Sequence, residues 1–202
     1  PAARDRPSSA RNGRALLPYF AFLGLGYMFV EIALIQKTIL PLENPSYAFA
    51  WVLASMLVSS GLGSLASRAQ AAQSRLVPAC IAVVLIIYSL LLPPVMAALA
   101  PLSMPVRVAS VFLVILPLGT LMGMPFPAGM KLLGKVNSSL VPWAWSVNGC
   151  FSVLAPVLAI MIALVTGFRT VFWLGALAYG MAFAVLSLFS ASPPSSAQRP
   201  PG

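Results

Sequence analysis

The feature that most constrains this chain is a series of six long apolar blocks, separated by short polar or proline-containing segments. Each block approaches the roughly 20 residues that an α-helix needs to cross a bilayer. Only 7% of the residues are charged, against about 25% in soluble domains. We therefore predict an all-α, polytopic membrane bundle with the lipid bilayer as its partner. Its six transmembrane helices are expected at residues 16–36, 46–67, 76–99, 106–126, 142–166 and 170–190.

The polar ends of the chain divide it into three parts. Residues 1–14 are polar and basic, and they lack the apolar core of a signal peptide. We interpret them as a linker or cytoplasmic tail within a longer protein. Residues 15–190 form the six-helix transmembrane domain. Residues 191–202 are rich in Pro and Ser, which predicts a disordered C-terminal tail.

The basic residues outside the spans predict an orientation by the positive-inside rule. With the N-terminus in the cytoplasm, the outside loops carry only Lys37, Arg107 and Arg169. The inside segments then carry Arg4, Arg6, Arg11, Arg14, Arg68, Arg75, Lys131, Lys135 and Arg199. An even number of spans places both termini on the cytoplasmic side. We expect a multi-pass protein of the cell inner (plasma) membrane.

Composition argues against several classes of function. The net charge of +9 lies mostly in tails and short loops, without a basic helix or an aromatic RNA-binding pattern, so we expect no nucleic acid partner. The chain has no His, and its acids are Asp5, Glu31 and Glu43. We therefore predict no metal, no cofactor and no catalytic residue in this chain. Whether it belongs to an enzyme stays open, since a catalytic domain can lie in another part of the protein.

Small and polar residues recur at helical spacing in three spans. The second span has Ser55, Ser59, Gly63 and Ser67, four residues apart. The fourth span has Gly119 and Gly123, and its Pro117, Pro125 and Pro127 predict a bend or break near its cytoplasmic end. The fifth has Trp145, Asn148, Gly149, Ser152 and Pro156 on one face. Such faces indicate either close helix packing or the lining of a cavity.

Glu31 stands out because it lies inside an apolar run. A charge at the bilayer centre costs on the order of 3 kcal/mol or more, so we expect this side chain to face the bundle interior. Gly24, Tyr27, Met28 and Ile35 share its face of the helix. Three interpretations stay open: a structural acid bonded to neighbouring helices, a proton or cation site in a transport path, or a partner of Lys37.

Two stretches resemble the membrane part of bacterial fused spermidine-synthase-like proteins. One is residues 18–68, with "VEIALIQK", and the other is residues 123–134 followed by 142–159, with "PWAWSVNG". Proteins of this family join a multi-helix membrane segment to a soluble aminopropyltransferase-like domain. The resemblance implies that such a synthase-like domain precedes residue 1. No catalytic residue of the synthase maps onto this chain.

Residues 63–68, "GSLASR", resemble a loop motif of the major facilitator superfamily, whose halves have six spans. The resemblance implies a fold like half of a major facilitator, with a gating loop at Gly63, Ser67 and Arg68. Ser67 stands where the motif usually has an acid, and its later basic residues are missing. Such a fold would need a second six-helix half, or a dimer, as its partner.

The expected function is that of an integral membrane domain that anchors a soluble enzyme domain and moves a small cationic solute such as a polyamine. The residues expected to contact that solute are Glu31, Tyr27, Ser59, Asn148 and Ser152. Two alternatives remain. One is a purely structural membrane anchor or scaffold, and the other is half of a secondary transporter without an enzyme partner.

Overall fold

The computed structural model describes residues 13–67 and 75–191, and within them it is an all-α bundle. Its helices are α1 Leu17–Leu42, α2 Pro45–Ala66, α3 Val77–Leu99, α4 Met104–Met122, α5 Pro125–Asn137, α6 Val141–Thr166 and α7 Phe168–Ala191. Six candidate spans are long and apolar enough to cross a membrane, with α4 and α5 together forming the fourth. This confirms the predicted six-helix membrane bundle. Residues 1–12 and 192–202 of the predicted tails, and Arg68, lie outside the described residues.

Helix α1 is the central element of the bundle. It packs extensively against α6 and α7 and also against α2, while α2 packs on α4 and α3 packs on α7. In its most apolar window 67% of the residues are buried, against 17% in α6. The other helices therefore present much of their surface to lipid, whereas the residues of α1 meet other helices.

The fourth span breaks where its prolines predicted a break. Helix α4 ends at Met122, and α5 begins at Pro125 after the short link Gly123–Met124. Pro125 and Pro127 have no backbone N–H to continue the hydrogen bonds of α4. The hydroxyl of Tyr19 in α1 donates a 2.8 Å hydrogen bond to the carbonyl of Pro125. This bond holds the start of α5 against the central helix.

Helix α1 is longer than predicted. Its expected end near residue 36 is wrong, because the helix continues to Leu42 with Pro41 in its last turn. Glu43 ends it with a left-handed backbone conformation (φ 56°), and Asn44 caps α2 by accepting from the N–H groups of Ser46 and Tyr47. Glu31 consequently lies near the middle of α1 and not close to its end.

Helices α2 and α4 approach closely through glycines. A Cβ atom on Gly63 would collide with the carbonyl of Thr120, and one on Gly119 would collide with the hydroxyl of Ser59. Gly123 lies in the same way against the backbone of Ser60. The small-residue stripe of the second span is therefore a helix-packing surface. Such close approach is what stabilises helix pairs in lipid, where the hydrophobic effect does not drive association.

We predict that Gly63→Ala lowers the stability of the bundle by about 1–3 kcal/mol, because the added methyl group overpacks the contact with Thr120. Gly61→Ala is the matched control, since a Cβ at Gly61 meets no atom within 4 Å. The measurement is thermal unfolding of both variants in the same detergent. Equal melting temperatures for the two variants would contradict the packing contact.

Candidate substrate cleft

A cleft of about 600 Å³ lies between α1, α2, α6 and α7 and the junction of α4 with α5. Its polar lining comes from Tyr27, Ser60, Ser64, Asn148 and Ser152. Apolar side chains, among them Leu57, Met122 and Phe126, line the rest. We call this space the cleft.

The polar groups of the cleft are only partly engaged with one another. The Tyr27 hydroxyl donates to Ser60 Oγ over 3.4 Å, which is long for a hydrogen bond between hydroxyl groups. Asn148 Nδ2 donates a 3.0 Å bond to the carbonyl of Phe20 in α1. The second bond is well formed and fixes α6 against α1. The first is weak, so the Tyr27 hydroxyl can exchange it for a bond to a ligand.

Gly24 sets the distance between α1 and α6 at the cleft. A Cβ atom there would lie 2.6 Å from the backbone oxygen of Asn148 and 2.9 Å from Ser152 Oγ. Any larger residue would push α6 away from α1. The sequence therefore places a glycine where the two polar residues of α6 must come close to the central helix.

Aromatic rings make up much of the cleft wall. The rings of Phe126 and Trp145 meet edge to face with centroids 4.8 Å apart. Tyr27 and the buried Tyr179 also line the space. The faces of aromatic rings attract cations, and the attraction grows when the cation has lost its water. The wall is thus suited to an organic cation that carries apolar carbon as well as charge.

Glu31 is buried, with 5% of its surface exposed, which confirms that it faces the bundle interior. It lies one helical turn from Tyr27, which lines the cleft. Among the residues that the structure describes, no hydrogen bond or salt bridge to this carboxyl is present, and the one salt bridge joins Arg107 to Glu43. Neither an ion pair with Lys37 nor a hydrogen bond to a neighbouring helix, the contacts of two of the three open interpretations, is present there.

The structure brings together three of the five predicted contact residues. Tyr27, Asn148 and Ser152 line the cleft, and Glu31 lies just beyond it along α1. Ser59 does not line it, because its side chain is buried against Gly119 and donates to the carbonyl of Ser55. The neighbouring Ser60, one residue further along α2, faces the cleft instead.

Of the predicted gating loop, Gly63 packs on α4 and Ser67 ends α2. The Ser67 hydroxyl donates a 2.7 Å bond to the carbonyl of Ser64. Both residues therefore have local structural roles near the end of the second span.

In residues 13–67 and 75–191, no group of three or more His, Cys, Asp or Glu side chains could hold a metal ion. The hydroxyl, amide and aromatic groups of the cleft are groups that can bind a ligand.

Comparisons of the chain with protein-family models, with curated proteins and with solved structures found no match. The resemblance to spermidine-synthase-like membrane segments and to the major facilitator superfamily therefore stays a prediction from the sequence.

We predict that the cleft contains water. Ser152→Cys, in a protein whose Cys80 and Cys150 are replaced by Ser, should react with a charged maleimide, because a thiol must contact water to ionise and react. Val153→Cys is the control. That position is the next residue of α6, 74% exposed on a span surface that faces lipid, and it should react slowly. Equal labelling rates at the two positions, measured by mass shift, would contradict a water-filled cleft.

Proposed function

We propose that this chain is the membrane domain of a spermidine-synthase-like protein and that its cleft binds a small organic cation of the polyamine class. In this proposal the domain lies in the inner membrane with both termini in the cytoplasm. It anchors a soluble synthase-like domain, and the cleft forms part of a path for the cationic substrate or product.

The observation that carries the proposal is Glu31. It is the only acidic residue within the six candidate spans, and its carboxyl has no bonded partner among the described residues. A charged carboxylate without a partner at this depth costs several kcal/mol, and intramembrane acids usually serve ion or substrate pathways. A cationic ligand would supply the missing partner. Glu31 lies one turn beyond Tyr27, so an extended molecule in the cleft can reach toward it.

The lining of the cleft matches the alternating chemistry of a polyamine. Ammonium groups can donate to the hydroxyls of Tyr27 and Ser152 and lie over the ring of Trp145. The methylene segments between them can contact Leu57, Met122 and Phe126. A small inorganic cation would leave these apolar walls without a role. The resemblance of residues 18–68 supports the same class of ligand.

A second candidate is a passive membrane anchor. It is favoured by the bond from Asn148 to Phe20, which shows that one polar group of the cleft already has a structural role. In this alternative the cleft is a packing defect, and Glu31 contributes nothing to solute binding.

Glu31→Gln tests the choice between these candidates. The amide keeps the shape of the side chain and removes its charge, so we expect at least a tenfold weaker binding of radiolabelled spermidine, because the charged partner of the ammonium group is lost. The measurement is equilibrium binding to the purified protein, followed by flux into proteoliposomes. Glu43→Gln is the matched control, since Glu43 lies at the end of α1, mostly exposed.

Binding that survives Glu31→Gln unchanged would overturn the role of the carboxyl. A wild-type protein that binds no spermidine would favour the passive anchor. The fused organisation has its own test: immunoblots of source membranes should show a polypeptide substantially larger than the 21.2 kDa of this chain.

A further inference from the structure

The structure contains a second polar cavity, distinct from the cleft. It has a volume of about 150 Å³ and lies where the end of α2, the start of α3 and the side of α5 meet. Arg75, Lys131 and Lys135 line it together with Ser67. Its floor is apolar, formed in part by Leu132 and Leu186. We call this space the basic cavity.

The cations of the basic cavity lack counter-charges. Within residues 13–67 and 75–191 the acids are Glu31, inside the bundle, and Glu43, which pairs with Arg107 at the opposite end of the spans. None of the three cations makes a salt bridge or a side-chain hydrogen bond there. Lys131 and Lys135 are one helical turn apart, so their like charges repel each other. An anion placed between them and Arg75 would relieve that repulsion.

The lengths of the helices indicate headgroup depth for the basic cavity. Helix α4 has 19 residues, and at about 1.5 Å per residue it covers roughly 28 Å, close to the ~30 Å of the hydrocarbon core. Helix α5 follows it and carries both lysines in the last residues of the fourth candidate span, Met104–Val136. Because α4 alone nearly matches the hydrocarbon thickness, these last residues are expected near the membrane interface. Ser67, at the end of α2, and Arg75, before the start of α3, lie at the same end of their spans.

We propose that the basic cavity binds the phosphate group of an anionic phospholipid. Its volume suits a single phosphate, and Arg75 and the two lysines supply donors of the kind that phosphate oxygens accept. The apolar floor and the exposed apolar surface of the neighbouring spans can accommodate the acyl chains. Basic pockets between transmembrane helices are known to bind anionic headgroups. This proposal does not depend on what the cleft binds.

The test measures lipid binding by native mass spectrometry of the protein in mild detergent, with phosphatidylglycerol or phosphatidylcholine added. We expect retention of phosphatidylglycerol to be at least fivefold stronger than that of phosphatidylcholine. Lys131→Gln and Lys135→Gln should each weaken it at least fivefold, and Lys131→Arg should restore it. Because all three cations are exposed, these variants should fold.

Arg169→Gln is the matched control, since it removes one positive charge at the opposite end of the spans, where Arg169 lies over the ring of Trp173. It should leave lipid retention unchanged. Three results would each overturn the proposal: equal retention in the lysine variants, equal weakening by Arg169→Gln, or displacement of the lipid by an equal concentration of inorganic phosphate. The last result would identify a free anion as the ligand.

Discussion

The close approach of helices across glycines is the constraint on which the rest of this bundle depends. Apolar side chains gain nothing by leaving lipid for one another, so contacts between spans must come from dispersion at short distance and from hydrogen bonds. Gly24 brings α6 onto α1, and Gly63 with Gly119 brings α2 onto α4. Larger residues at these positions would separate the helices. The cleft exists because these contacts hold its walls at fixed distances on either side.

Hydrogen bonds between distant parts of the chain then fix how the helices are placed along their axes. Asn148 bonds to the carbonyl of Phe20, and Tyr19 bonds to that of Pro125. Each of these two bonds has one partner in the first turn of α1, the helix whose apolar window is the most buried. At the other end, Arg107 donates to the carbonyls of Pro41 and Leu102, which joins the last turn of α1 to the segment before α4. The central helix is therefore held at both ends, with Glu31 between them.

The sequence predicted the number of spans and the break at the prolines, because length, apolarity and a missing N–H are local properties. It misjudged the end of α1, which was expected at residue 36, because the helix continues to Leu42 and tolerates Pro41 in its last turn. The sequence alone could not tell which of Ser59 and Ser60 faces the cleft. Adjacent residues on a helix point about 100° apart, and only the neighbouring helices decide which of them meets α4 and which meets the cleft. The sequence likewise could not predict that Arg75 and Lys131 line the same cavity, because this depends on how α3 and α5 pack.

Helix α5 connects the two polar spaces of the molecule. Phe126 and Pro127 line the cleft, while Ala128 and Gly129, the next two residues, line the basic cavity. The rings of Tyr19, Phe20, Phe126 and Trp145 form a continuous series of edge-to-face contacts between them. Since α5 is joined to α4 only through the short link at Gly123–Met124, it depends on Tyr19 and on its own surroundings for its position. A lipid phosphate bound by Lys131 and Lys135 would therefore restrain the same helix that carries Phe126 into the cleft wall.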